Sequence, residues 1–215
     1  MDTFQIKEVI QKTRLIAIIR GIPRNLLVPA VTALVNGGIR AVEITLDRGD
    51  AIDGIRELNE RFGEHIAIGA GTVLTTAQVK SVAEAGGKYI ISPNTDRDVI
   101  RHTKSLKLLS IPGAMTPTEI VAARAAGADY IKLFPAASLG IEYFKALLSP
   151  LSDIPFIVVG GIGLDNVIDF LNAGAQGAGI GGKLADKQLI TQGRFDELSM
   201  VAADYTEKVN GAHTY

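Results

Sequence analysis

Short apolar runs alternate with longer amphipathic segments along the whole chain, and this alternation restricts the fold more than any other feature. Runs of four to six apolar or β-branched residues are typical of buried strands, whereas apolar residues three and four apart indicate helices that bury one face. Eight such pairs occur. Strands are predicted at residues 15–20, 41–46, 66–71, 89–92, 108–111, 130–134, 156–160 and 178–181. Helices are predicted at residues 26–36, 51–62, 76–85, 97–104, 117–126, 141–148, 165–173 and 187–209, the last broken at Gly193.

Capping residues support these boundaries. Thr75, Thr116 and Asp186 stand before predicted helices, and Pro117 takes the first helical position, where a missing N–H costs nothing. Glycine follows the helices, because a residue without a Cβ adopts the left-handed conformation that ends a helix. These glycines are Gly37, Gly38, Gly86, Gly87, Gly127 and Gly174. The chain therefore repeats a unit of strand, helix and glycine-bearing turn.

Eight units in 215 residues give about 27 residues each, which fits a (β/α)8 barrel near the short end of its size range. An open doubly wound sheet is the alternative, but no Gly-x-Gly-x-x-Gly sequence follows the first strand. We therefore predict an α/β fold of the (β/α)8 TIM-barrel type, formed by residues 1–215 as a single domain. An additional helix at residues 4–12 is predicted to cover the N-terminal end of the barrel.

Composition excludes several classes of function. No cysteine occurs, which excludes disulfides, thiolate metal sites and cysteine nucleophiles. A net charge of −1 without a run of five like charges leaves no basic face for nucleic acid. No apolar run approaches the ~20 residues that span a bilayer, and the first residues do not resemble a signal peptide. We expect a cytoplasmic protein that binds a small molecule and neither nucleic acid nor membrane.

Residues in the strands or directly after them mark the candidate site, because active sites of (β/α)8 barrels form at the carboxyl ends of the strands. The residues in these places are Arg20, Glu43, Thr45, Thr72, Ser92, Pro93, Asn94 and Lys132. Lys132 is the only lysine inside a predicted strand. Strand side chains alternate, so Lys132 faces the barrel axis if Ile131 and Leu133 face the helices.

The same parity turns Glu43 toward the axis. Glu43 and Lys132 lie on the second and sixth strands, and alternate strands contribute to one layer of such a barrel. The two side chains are therefore expected to share a layer. A buried ion pair without chemical role is the alternative, although such a pair is often no more stabilising than apolar residues of similar volume.

Buried in an apolar barrel, Lys132 has the properties of a nucleophile. An amine attacks a ketone only when unprotonated, and burial lowers the pKa of a lysine. A nearby carboxylate opposes this shift, so Glu43 needs a compensating role, and proton transfer is such a role. The three histidines are His65, His102 and His213, and none follows a predicted strand where metal ligands would have to converge. We expect neither metal nor cofactor.

Eight short segments then occur in a fixed order. They are AIIRG at 17–21, VEITL at 42–46, GAGTV at 69–73, ISPN at 91–94, IPG at 111–113, IKLFP at 131–135, GGI at 160–162 and GIGG at 179–182. Over essentially its whole length the chain resembles the 2-keto-3-deoxy-6-phosphogluconate (KDPG) / 4-hydroxy-2-oxoglutarate (KHG) aldolases, including the KDPGal branch.

The resemblance implies a homotrimeric class I aldolase that uses a covalent lysine Schiff base without metal. It implies cleavage of KDPG, its galactonate epimer or 4-hydroxy-2-oxoglutarate to pyruvate and an aldehyde, which is glyceraldehyde 3-phosphate or glyoxylate. Lys132 would form the Schiff base and Glu43 would be the general acid and base. The implied substrate-binding residues are Arg20, Thr72, Pro93 and Phe134, with Gly160, Gly161, Gly181 and Gly182 around the phosphate.

Glycines after the seventh and eighth strands agree with a phosphate site, because they let the backbone approach an anion beside a helix N-terminus. The alternative is that they only permit tight turns. Two positions depart from the family pattern. Asp47 stands where the sugar-acid branch has arginine, which comes one residue later as Arg48, and Lys183 stands where serine is common. A lysine there either adds a positive charge to a phosphate site or occupies the site.

Two other functions fit the same pattern of glycines. One is a phosphate-binding barrel that acts as a synthase or isomerase, which leaves Lys132 without a role. The other is a non-catalytic sugar-acid-binding barrel, in which Lys132 and Glu43 only hold a ligand.

Overall fold

Parallel strands form one closed sheet inside a layer of helices in the computed structural model, which describes residues 1–212. The strands are β1 (Leu15–Ile19), β2 (Ala41–Thr45), β3 (Ala67–Gly71), β4 (Tyr89–Ile91), β5 (Leu109–Ile111), β6 (Gly113–Ala114), β7 (Ile131–Leu133), β8 (Phe156–Val159) and β9 (Gly177–Ile180). The helices are α1 (Thr3–Thr13), α2 (Arg24–Asn36), α3 (Ala51–Phe62), α4 (Thr76–Glu84), α5 (Arg97–Ser105), α6 (Pro117–Ala125), α7 (Ala136–Leu139), α8 (Ile141–Leu148), α9 (Val167–Asn172), α10 (Lys187–Thr191) and α11 (Phe195–Gly211). The predicted barrel with an additional N-terminal helix is confirmed.

The nine strands are the eight predicted ones with the fifth divided in two. The sheet order runs β5-β4-β3-β2-β1-β9-β8-β7-β6, so β5 and β6 are its two ends. Only Pro112 separates them along the chain. Proline cannot donate a backbone hydrogen bond, which interrupts the strand. Its carbonyl still accepts from Lys132 N at 2.9 Å, so the two ends meet and the barrel closes.

Two layers of apolar side chains confirm the predicted parity. The outward-facing strand residues pack in the large core between strands and helices, and they include Val42, Ile44, Ile131 and Leu133. A second cluster fills the barrel interior and contains Ile6, Ile10, Ile16, Ile18, Ala41, Ala67, Tyr89, Ile91, Leu109, Ile111, Tyr130, Ile157 and Val159. Strand residues therefore alternate between the two cores, and Lys132 points into the barrel.

Helix α1 covers the N-terminal end of the barrel. Asp2 begins it with a capping box, in which the Asp2 side chain and the Gln5 side chain each accept a backbone N–H of the other residue. Ile6 and Ile10 pack on the interior cluster. Lys7 Nζ lies 2.8 Å from Asp129 Oδ1, which ties the helix to the segment before β7.

Helix boundaries follow the predicted caps. Thr75 and Thr116 form capping boxes, and the Asp186 side chain accepts from two backbone N–H groups of α10. The predicted final helix is divided between α10 and α11 at Gly193, whose φ is 71°. Gly38, Gly86, Gly127 and Gly174 all have positive φ, so these helix ends need glycine.

Every predicted helix boundary lies within two residues of the observed one, and one further helix was not predicted. α9 begins at Val167, not at residue 165, because the Asn166 side chain bonds Gly163 N and Gly161 O and holds the preceding residues in a turn. α7 was not predicted, since four residues are too few to show a helical period. Within residues 1–212 no helix is both long enough and apolar enough to cross a bilayer.

Candidate active site

A cavity of about 400 Å³ opens at the carboxyl ends of the strands. Its walls come from β1, β7, β8 and β9 and from the loops that follow β1, β3, β4, β7, β8 and β9. The lining residues are Ile18, Arg20, Thr72, Pro93, Lys132, Phe134, Val159, Gly160, Gly161, Ile162, Gly179, Gly181, Gly182 and Lys183. The structure thus brings together every predicted catalytic and substrate-binding residue except Glu43. Of the other polar residues at the strand ends, Thr45, Ser92 and Asn94 do not line the cavity either.

Lys132 is buried at this cavity, with 5% of its surface exposed. Its Nζ lies 5.2 Å from the centroid of the Phe134 ring, a cation–π distance. Burial lowers the pKa of Lys132, the Glu43 carboxylate raises it, and the Arg20 guanidinium lowers it, with a net decrease. The environment therefore shifts Lys132 toward the neutral amine that nucleophilic attack requires.

Glu43 is 1% exposed, and neither carboxylate oxygen has a hydrogen-bond partner in the described part of the chain. Burial raises the pKa of Glu43, and the positive charges of Lys132 and Arg20 only partly oppose this. A carboxyl group with a raised pKa exchanges protons near neutral pH more readily than an exposed one. Glu43 forms no hydrogen bond with Lys132 within residues 1–212, although the charges of the two groups interact.

Thr72 follows β3 in an unusual backbone conformation. Its φ is +58°, which is rare for a β-branched residue and costs on the order of 1–3 kcal/mol. Arg20 Nη2 lies 3.4 Å from Thr72 Oγ1, at the long end of the hydrogen-bond range. The guanidinium is exposed and forms part of the cavity wall.

The four candidate phosphate-binding glycines fall into two pairs. Gly160 and Gly161 have φ of 94° and 74°. A Cβ added to Gly160 would lie 2.9 Å from the Phe134 ring, and one added to Gly161 would lie 2.7 Å from Ala137 Cβ. Both are therefore glycines for structural reasons. Gly181 and Gly182 have neither positive φ nor any atom within 4 Å of an added Cβ. Their open backbone faces the cavity, as a ligand site requires.

The expected helix N-terminus is not beside these glycines. α9 begins at Val167 and α10 at Lys187, several residues after Gly161 and Gly182. The intervening residues form turns, in which Leu184 N and Ala185 N both donate to Gly181 O. Anion binding at this wall would rest on the glycine N–H groups themselves.

Asp47 and Lys183, the two residues that depart from the family pattern, both contact neighbouring side chains. Asp47 Oδ1 accepts from Thr45 Oγ1 at 2.5 Å, and Arg48 is paired with Asp50, so neither lines the cavity. Lys183 does line it, and its Nζ lies 3.2 Å from Asp165 Oδ1 in an exposed ion pair. Lys183 thus stands at the edge of the cavity and does not fill it.

Four lining residues were not predicted, namely Ile18, Val159, Ile162 and Gly179. Parity could have found Ile18, since it lies two residues before Arg20 on the same face of β1. Among residues 1–212 no three His, Cys, Asp or Glu side chains converge as metal ligands. His65 and His102 do not line the cavity, and His213 lies outside the described residues.

A family model described as "Aldolase: KDPG and KHG aldolase" matches residues 6–201 of the sequence. The chain belongs to the KDPG and KHG aldolase family. It is an aldolase, a carbon–carbon lyase. The family assignment agrees with a cavity that collects the lysine, arginine, threonine and glycines of the eight segments on one face of a barrel.

Relatives of known name lie in two branches of the KDPG and KHG aldolases. The chain is 38% identical, over 80% of its length and 85% of the relative, to a 2-dehydro-3-deoxy-6-phosphogalactonate aldolase of Escherichia coli (strain K12). A solved structure of native KDPGal aligns with a TM-score of 0.87 at 34% identity and covers 94% of this chain and 96% of that one.

A third relative is a KDPG aldolase from Legionella pneumophila, whose structure holds pyruvate as a covalent carbinolamine intermediate. It aligns with a TM-score of 0.86 at 27% identity and covers 93% of this chain and 97% of that chain.

Proposed function

We propose that the cavity is the active site of a class I aldolase in which Lys132 attacks the C2 ketone of a 2-keto-4-hydroxy acid. The observation that carries the proposal is a buried amine whose environment favours the neutral form, at the wall of a cavity, with an unpartnered carboxyl group inside the same barrel. A synthase or isomerase would leave Lys132 without a role, and a sugar-acid-binding protein would need no amine with a lowered pKa.

The reaction follows from these two groups. Neutral Lys132 adds to C2, and proton transfers through Glu43 convert the carbinolamine to an iminium with loss of water. Glu43 then takes the proton of the C4 hydroxyl, the C3–C4 bond breaks, and its electron pair moves into the iminium to form an enamine and a free aldehyde. Protonation of C3 by Glu43 and hydrolysis release pyruvate and restore the amine.

The remaining cavity residues are proposed to bind the substrate. Arg20 and Thr72 are placed to contact the carboxylate, with Pro93 and Phe134 around the pyruvyl portion. Gly160, Gly161, Gly181 and Gly182 would hold the phosphate through their N–H groups, and Lys183 would add a positive charge. Because the relatives named for 6-phosphogalactonate are the more similar of those described, we propose 2-keto-3-deoxy-6-phosphogalactonate as the preferred substrate, ahead of KDPG and 4-hydroxy-2-oxoglutarate.

Coupled detection of released pyruvate tests the substrate. Purified protein is incubated separately with 2-keto-3-deoxy-6-phosphogalactonate, KDPG, 4-hydroxy-2-oxoglutarate and the unphosphorylated sugar acids. The highest kcat/KM is expected for the phosphorylated galactonate, with glyceraldehyde 3-phosphate as the second product. Equal rates with and without phosphate would contradict the proposed glycine and Lys183 site, and no pyruvate from any of them would contradict the function.

We also propose that the protein is a cytoplasmic homotrimer of single-domain barrels and that it works without metal or cofactor. Light scattering on purified protein is expected to give three times the chain mass of 22.8 kDa. Turnover is expected to be unaffected by chelators.

A further inference from the structure

Gly71, the last residue of β3, lies directly against the Glu43 carboxylate. A Cβ added to residue 71 would lie 1.6 Å from Glu43 Oε1 and 2.4 Å from its Cδ. Non-bonded heavy atoms stay about 3.5 Å apart at their optimum. Gly71 has no positive φ, so its backbone does not require glycine. The carboxylate of Glu43 does.

The other glycine of β3, Gly69, leaves room for the Tyr89 ring. Glu43 is opposite Gly69 in the β2–β3 register, and a Cβ at residue 69 would lie 2.2 Å from the Tyr89 ring. Tyr89 is fully buried, and its hydroxyl donates to Val42 O at 2.5 Å. This hydrogen bond holds the ring in place. Gly69 therefore leaves room for the Tyr89 ring, and Gly71 leaves room for the Glu43 carboxylate.

We propose that Gly71 is a positioning residue of the aldolase reaction, because its missing side chain provides the space in which the Glu43 carboxyl group stays free to exchange protons with substrate bound at Lys132. The inference rests on the proposed function. An alanine at residue 71 would displace the carboxylate on the order of 2 Å, and a misplacement of about 1 Å can lower a rate about 10²-fold. The displaced atoms end a flexible side chain, so the barrel itself should still fold.

The test compares Gly71→Ala with Gly49→Ala, an exposed glycine with no atom within 4 Å of an added Cβ and no positive φ. Four quantities are measured, namely kcat and KM for cleavage, exchange of the pyruvate methyl protons with deuterium, melting temperature, and the Lys132 adduct trapped by borohydride. For Gly71→Ala we expect kcat and methyl exchange to fall about 10²-fold, with KM within about threefold and an adduct still formed after long incubation. Gly49→Ala should match the unmodified protein.

Unchanged kcat and methyl exchange in Gly71→Ala, with a normal Lys132 adduct, would overturn this inference alone. Absence of a Lys132 adduct in the unmodified protein would overturn the proposed function and this inference with it. The two failures are thereby distinguished.

Shortening the acid provides a second test, in which recovery of folding is the result to compare if Gly71→Ala alone folds poorly, and activity if it folds. In Glu43→Asp the carboxylate retracts by one methylene, and the added methyl of Gly71→Ala can occupy the vacated space. The double variant should fold and should lose less activity than the product of the two single losses, by about tenfold. Losses that multiply independently would show that residue 71 does not act through Glu43.

Discussion

Two carboxylates with little exposed side-chain surface, Asp129 near the N-terminal end of the barrel and Glu43 toward its mouth, have opposite environments. At the N-terminal end, Asp129 accepts from Lys7 Nζ at 2.8 Å, Lys104 Nζ at 2.5 Å and Ser110 N at 2.9 Å. Burial raises the pKa of Asp129, but these bonds lower it by more, so the pKa lies below its usual range. Toward the mouth, Glu43 accepts no hydrogen bond from any of residues 1–212, and its pKa is raised.

This difference separates a group that stabilises the fold from a group that is available for chemistry. A partnered buried carboxylate stabilises the folded state, whereas an unpartnered one destabilises it and persists where it has a function. In (β/α)8 barrels generally, residues at the N-terminal end of the strands contribute to stability, and residues at the carboxyl end carry out the chemistry. The two acids therefore predict opposite responses to substitution.

Replacing the amine has the largest expected effect. Lys132→Ala removes the covalent route, and kcat/KM should fall at least about 10⁴-fold. Continuous pyruvate detection measures this loss, with circular dichroism as the control for folding. Retention of a tenth of the activity would mean that the buried lysine is not the nucleophile.

Neutralising the upper acid comes next. Glu43→Gln keeps the shape of the side chain but cannot exchange protons, so kcat should fall about 10²–10⁴-fold. The melting temperature should stay equal or rise, because an unpartnered buried charge is removed. A borohydride adduct should still form slowly on Lys132. Near-normal turnover would refute the proton-transfer role, and a large loss of stability would contradict the contrast with Asp129.

Neutralising the lower acid should do the reverse. Asp129→Asn leaves Lys7 and Lys104 without their partner and should lower the free energy of unfolding by about 2 kcal/mol, with kcat nearly unchanged. The folded pKa of Asp129 is depressed, so its stabilisation is present above the unfolded value of 3.8 and is lost as pH falls through the folded pKa. Urea unfolding at pH 7 and pH 3 should therefore show a smaller difference between variant and parent at pH 3.

The opposite pH dependence is expected at Glu43. Its folded pKa is raised, so its favourable contribution is present below the unfolded value of 4.5 and disappears as pH rises through the folded pKa.

How far the sequence predicts this contrast depends on the range of the contacts involved. Strand parity was sufficient to turn Lys132 and Glu43 inward, and the position of polar residues after strands predicted most of the cavity wall. Parity could not show that Glu43 has no hydrogen-bond partner, or that Gly71 leaves the room for its carboxylate. It also gave no signal for Asp129, whose partners Lys7 and Lys104 come from α1 and α5. Such contacts depend on tertiary packing between distant segments.

The smallest predicted effect is at the edge of the mouth. Lys183→Ser removes an exposed ion pair with Asp165, so stability should change by less than about 0.5 kcal/mol. If Lys183 adds charge to the phosphate site, KM for phosphorylated ketoacids should rise about three- to fivefold. KM for 4-hydroxy-2-oxoglutarate should not change. An equal change in KM for both kinds of substrate, measured side by side, would show that Lys183 does not contribute to phosphate binding.

The central claim is that the amine of Lys132 forms a covalent bond with the keto acid. Incubation with pyruvate, reduction with borohydride and peptide mass analysis measure this directly. A single reduced pyruvate adduct is expected on Lys132, absent when borohydride or pyruvate is omitted and absent in Lys132→Ala. An unmodified Lys132, or an adduct located on another lysine such as Lys183, would contradict it.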